Sequence, residues 1–145
     1  MRYEGIHCRL VVECPAPAVV VVKLTGWDVG EFGDVPMKEI VRHFASDGLE
    51  LFIDAREVKG ATIDVSNEWA QWLRANRDRF KHISMLTGGP FVRLTAKFVR
   101  RFAALDEVMR IYTDAAAFDG ALATAIAGAS ARGAARQPLP ASSGR

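Results

Sequence analysis

Residues 6–13, IHCRLVVE, alternate, with Ile6, Cys8, Leu10 and Val12 on one side and His7, Arg9 and Glu13 on the other. A period of two is that of a half-exposed β-strand. Pro15 and Pro17 remove two ladder donors and turn the chain. Residues 18–25, AVVVVKLT, are β-branched and almost continuously apolar, as in a more buried strand. Gly26, Gly30 and Gly33 mark 26–34 as a loop. A helix is expected over 35–46, with Asp34 as N-cap, Pro36 in the first turn and Ile40, Val41 and Phe44 on its apolar side. Residues 49–55, LELFIDA, read as a third strand and 56–63 as a connection. Asp64 or Ser66 then caps a helix to Phe80, whose apolar side carries Val65, Trp69, Trp72, Leu73 and Phe80. A fourth strand follows at 82–87. Gly88-Gly89 turn the chain and Pro90 opens a helix to Ala103. A fifth strand covers 108–112, and Asp114 caps a last helix to Ala127. Residues 128–145 are small, polar and aperiodic, which predicts a disordered tail.

This order predicts one α/β domain over residues 1–127. Its sheet is mixed and five-stranded, with strands two to five parallel and in sequential order after an antiparallel hairpin. Lys23, Glu50, Ser84 and Arg110 keep polar residues on one side of their strands. The four helices are therefore expected mainly on one face.

Composition narrows the function classes. The chain has 145 residues, 50% of them apolar, enough for one domain with a sizeable core. The longest uncharged apolar run, Ala16 to Val22, is far short of a membrane span, and no secretory leader opens the chain. Cys8 and Cys14 fall in one strand, roughly 20 Å apart, too far for a disulfide. Free thiols suit a reducing compartment, so a cytoplasmic location is expected. His7, His43 and His82 are scattered, and no metal site or cofactor is expected.

The net charge of +2 hides a strong asymmetry: residues 74–101 hold eight basic groups against Asp78 alone. On a wheel of the third helix, Arg93, Lys97, Arg100 and Arg101 fall within about 100° of one another. Phe91, Leu94, Phe98 and Phe102 lie opposite and are expected to pack inward. Like charges without interleaved acids suit an acidic partner or an anionic lipid surface. Nucleic acid is not expected, because no exposed aromatic platform accompanies the charges. Asp54 ends a strand, where a receiver domain keeps its phosphorylated Asp, but the acidic pair and the lysine of such a site are missing. No nucleophile stands beside a base, so no catalytic residue is assigned.

The span 6–127 resembles the STAS domain (sulfate transporter and anti-sigma factor antagonist). Within that family it resembles the divergent bacterial STAS-like branch, which is similar in fold to CRAL-TRIO lipid-transfer domains. Three stretches carry the resemblance: Val22-Lys23-Leu24-Thr25-Gly26, Leu51-Phe52-Ile53-Asp54-Ala55-Arg56-Glu57-Val58, and Tyr112-Thr113-Asp114 continuing to Leu122. The resemblance implies a non-enzymatic module of partner-switching type, with a switch loop holding Asp54, Arg56 and Asp64. Typical members carry a regulatory phosphosite at the start of the second helix, in Asp-Ser-Ser-Gly or Asp-Thr-Ser-Gly. Here the stretch is Asp64-Val65-Ser66-Asn67, which makes Ser66 the candidate phosphosite.

Two functions follow as expectations. In one, the second helix and its preceding loop face a protein partner. In the other, the domain holds an apolar or lipid ligand in a pocket lined by Trp69, Trp72 and Phe98. Trp69 and Trp72 are the candidate ligand or partner surface in either case.

Overall fold

A computed structural model describes residues 1–136. The hairpin is formed by β2 (Cys8–Ala16) and β3 (Val19–Asp28), antiparallel as expected. Then follow α1 (Val35–Val41), β4 (Leu49–Ala61), α2 (Ile63–Ala75), a 3-10 turn (Arg77–Arg79), β5 (Phe80–Thr87), α3 (Pro90–Phe102), β6 (Met109–Tyr112) and α4 (Ala115–Arg136). Strands β3 to β6 are parallel and in sequential order.

The sheet has six strands, where the sequence pattern predicts five. The extra one, β1 (Arg2–Glu4), pairs antiparallel with the outer edge of β2, and all three of its residues are exposed. A short strand that buries none of its residues leaves no apolar alternation to detect. A second correction concerns 56–63. These residues are not a connection up to Ala61, because β4 runs on and pairs Glu57, Val58, Gly60 and Ala61 with Thr25, Gly26, Trp27 and Asp28. Helix α1 ends at Val41, earlier than expected, and α2 ends at Ala75, leaving Phe80 to open β5. Asp114 does cap α4, its carboxylate accepting from the Ala116 N–H at 3.1 Å. Asp34 precedes α1 without a side-chain capping bond and pairs with Lys38 instead.

The strand period sorts residues onto two unequal faces. On one, Leu10, Val22, Leu24, Leu51, Ile53 and Ile83 meet Ile40 of α1, Ala70 and Leu73 of α2, and Val99 and Ala103 of α3. On the other, Val19, Phe52 and Leu86 meet Phe118, Ala125 and Ala129 of α4. Three helices thus cover one face and one crosses the other. Helix α4 continues past Ala127, where the pattern places the end of the domain, to Arg136. The rest of the expected tail lies outside the described residues. Among the described residues, no helix is long and apolar enough to cross a membrane.

Candidate functional site

The cap of α2 is neither Asp64 nor Ser66. It is Thr62, whose Oγ1 accepts from the Val65 N–H at 3.2 Å. With β4 running to Ala61 and α2 starting at Ile63, Thr62 is the one residue between them, and its hydroxyl does the capping. Asp64 sits exposed in the first turn, where its charge suits the helix N-terminus. Ser66 lies further along that turn, half-buried, and donates from Oγ to the Thr62 carbonyl at 3.1 Å. Thr62→Ala is accordingly expected to cost about 1 kcal/mol in chemical denaturation and Ser66→Ala a few tenths.

Asp54 and Arg56 do not lie on a switch loop, because both are inside β4. Asp54 is buried and accepts from the Arg56 backbone N–H at 3.2 Å and from its Nε at 2.9 Å. The same guanidinium donates to Asp119 of α4 at 3.0 Å. This chain of ion pairs runs from the sheet to an exposed position on α4, and Asp64 takes no part in it.

Trp69 and Trp72 touch edge to face, with centroids 6.0 Å apart, and then diverge. Trp72, half-buried, packs on Phe44 and Phe80 at the edge of the core. Trp69 lines an apolar cavity of about 90 Å³ between α2, α3 and the strand ends, together with Leu24, Val58, Met85, Val92 and Ala96. Neither Trp72 nor Phe98 reaches it. The expected pocket of three aromatic residues is therefore not formed.

One buried acid, Asp28, faces this cavity. Burial pushes its carboxyl above the ordinary carboxylate range; the Gly30 N–H, 3.1 Å from Oδ1, works against this, while Glu31 and Glu68 add to it. A carboxyl with a raised folded pKa binds protons more tightly in the native state. Its contribution to stability is favourable at low pH and declines as pH rises from the unfolded to the folded value. Asp28→Asn, which keeps the acceptor for Gly30, is expected to be more stable than wild type at neutral pH. Denaturation at a series of pH values should show that gain vanish below the ordinary carboxylate range.

Helix α3 reverses the expected orientation. Its buried residues are Val92, Ala96 and Val99, with Ala103 just beyond. The bulky set stays outside: Phe91 is 63% exposed, Leu94 68%, Phe98 49% and Phe102 42%. Small residues let α3 come close to the sheet beside Ala70 and Leu73 of α2, and Phe98 and Phe102 stack on each other at 5.9 Å outside the core. The basic group is less uniform than its wheel suggests. Arg100 reaches Asp106 at 3.8 Å, and Arg93 is half-buried with its Nε unpartnered. Lys97 and Arg101 are exposed and without an ion pair among the described residues. Across the strip, Arg74 of α2 lies 5.8 Å from the Phe102 ring. The outer face of the α2–α3 pair is thus an aromatic strip edged on both sides by cations. No signal in the sequence tells this apart from the opposite orientation, since both arcs of α3 are apolar.

No family model matches the chain, and no curated protein matches it. Among solved structures, it is similar to an uncharacterized protein of the DUF3478 family with a SpoIIAA-like fold from Shewanella loihica PV-4. That likeness has a TM-score of 0.57 at 13% identity, over 83% of this chain and 98% of the other. An anti-sigma factor antagonist from Mycobacterium paratuberculosis superposes with a TM-score of 0.49 at 18% identity, over 83% and 94% of the two chains. The six-stranded sheet with three helices on one face and one on the other, and its likeness to the Shewanella protein, identify a STAS-like fold of the SpoIIAA type.

Proposed function

We propose that this chain is a non-enzymatic interaction module of partner-switching type in signalling regulation. Its docking surface is the outer face of α3 with the adjoining flank of α2. The observation that carries this reading is the exposure of Phe91, Leu94, Phe98 and Phe102 in one strip beside Lys97 and Arg101. A contiguous bulky apolar strip is costly to leave in water and marks an interaction surface. Its cationic edges suit a partner that presents apolar side chains between carboxylates, because opposite charges at the rim steer encounter and fix register. The fold supports the reading at the level of module type. Ser66 is the regulatory candidate at the start of α2, where a phosphate would meet favourable helix polarity. Mapping phosphosites after incubation with host lysate and ATP tests that role.

The docking face is tested by a triple variant, Leu94→Ser, Lys97→Glu and Phe98→Ser. All three positions are exposed, so the melting temperature should stay within a few degrees of wild type. The expected result is loss of an acidic protein that co-purifies with the wild-type chain. Retention of every host partner by the variant overturns the proposal. Binding of wild-type protein to anionic vesicles in place of any protein would reassign the strip to a membrane surface.

The second reading, an apolar or lipid ligand, rests on the cavity beside Trp69. At about 90 Å³ it is smaller than the ~150 Å³ engineered cavity that takes up benzene, so its size does not suit a lipid chain.

A further inference from the structure

We infer that the other face of the sheet carries a separate binding site, for the phosphate group of a small organic phosphate monoester. Helix α4 crosses this face and fills it only in part. Phe118 plugs one end, but further along α4 presents Ala121, Thr124, Ala125 and Gly128 to the sheet. Side chains this small leave a groove of about 510 Å³. Its floor is polar at the positions where an α/β sheet under a helix is usually apolar. In register, Glu50 of β4 lies beside His82 of β5, and Ser84 of β5 lies between Phe52 of β4 and Arg110 of β6.

The groups in this groove are unequally satisfied. Glu50 and His82 partner each other, Oε1 to Nδ1, at 2.9 Å. Ser84 is 6% exposed overall, and its hydroxyl has no hydrogen-bond partner among the described residues and lines the groove. A hydroxyl that opens onto the groove with no partner in the protein is free to bond a ligand there. Two guanidiniums stand at the rim without an ion pair among the described residues. Arg110 is held over the Tyr112 ring at 4.9 Å, and Arg132 lies back along α4 towards Gly128. Neither belongs to the docking face on α3, because they lie on the opposite side of the sheet.

The donor set chooses the ligand class. Two guanidiniums, one imidazole and the hydroxyls of Ser84 and Thr124 line a cleft that holds a single carboxylate, Glu50, already engaged by His82. Two guanidiniums with further hydrogen-bond donors fit a dianion with three terminal oxygens better than a singly charged carboxylate with two. Phe52 and Tyr112 give the organic part of the ligand an apolar wall.

The test uses the full chain, with phenyl phosphate, inorganic phosphate and benzoate as probes, followed by NMR chemical-shift titration. Phenyl phosphate is expected to move the resonances of Ser84, Arg110 and Tyr112 and to bind more tightly than either other probe. In Arg110→Gln with Arg132→Gln, binding should weaken about tenfold or more, and in Ser84→Ala several-fold. Ser84→Ala loses no protein hydrogen bond, so its melting temperature should not fall, which separates lost binding from lost folding. Benzoate binding as tightly as phenyl phosphate overturns the phosphate assignment. Phenyl phosphate that leaves those resonances unmoved, or that binds the double variant as well as wild type, overturns the site. Neither result bears on the α3 surface, whose own test is loss of a partner.

Discussion

Replacing Phe118 with alanine is expected to destabilise the protein by about 3–5 kcal/mol. Among the described residues of α4, Phe118 is the one large side chain that is almost completely buried, at 1% exposure. Its ring meets Phe52 at 5.7 Å and Tyr112 at 5.8 Å, both edge to face. Among the other described residues of α4, the buried Ala125 and Ala129 contribute little apolar area each, and Leu122 and Ile126 are only half-buried. Truncation would remove the ring from its contacts and leave a cavity under the helix, while the Arg56–Asp119 pair is too exposed to hold α4 by itself. Urea denaturation measures the loss. Amide exchange should also show α4 opening before β3 and β4. A loss under about 1 kcal/mol would mean that α4 is held by something other than this ring.

Gly26→Ala is expected to cost about 3 kcal/mol or more, from two causes acting together. Gly26 sits in β3 at φ +94°, a conformation that side chains resist. It pairs with Cys8 on one side and Val58 on the other, and an added Cβ would run into the carbonyl oxygen of His7. Backbone of a neighbouring strand cannot step aside as a side chain can. Gly33→Ala is the control. That residue also has positive φ, +56°, but nothing lies within 4 Å of the new carbon. Strain alone should then cost roughly 1–2 kcal/mol. Equal losses in the two variants would show that crowding at His7 contributes nothing.

The sequence by itself determined the order of the main elements, the antiparallel hairpin, the parallel continuation and the STAS-like fold. Each rests on a local period: two for IHCRLVVE, continuous apolarity for AVVVVKLT, and helical spacing around Trp69 and Leu73. The same local rules missed β1, which buries nothing, and the second half of β4, whose Arg56, Glu57 and Lys59 resemble a loop until β3 is laid beside them. They misplaced the cap of α2 for the same reason. For α3 they located both apolar arcs without telling which one is covered. Periodicity gives the angle between two arcs, whereas the direction that faces the sheet is set by how closely α2 and β5 allow the helix to approach. Val92, Ala96 and Val99 permit that approach and the phenylalanines do not, so the aromatic strip became surface. The groove under α4 was equally hidden. Glu50 and His82 are 32 residues apart, and only the register of β4 on β5 brings them together. Tertiary structure decided both candidate surfaces, because each depends on which side chains a neighbouring element leaves uncovered, a quantity that no single segment contains.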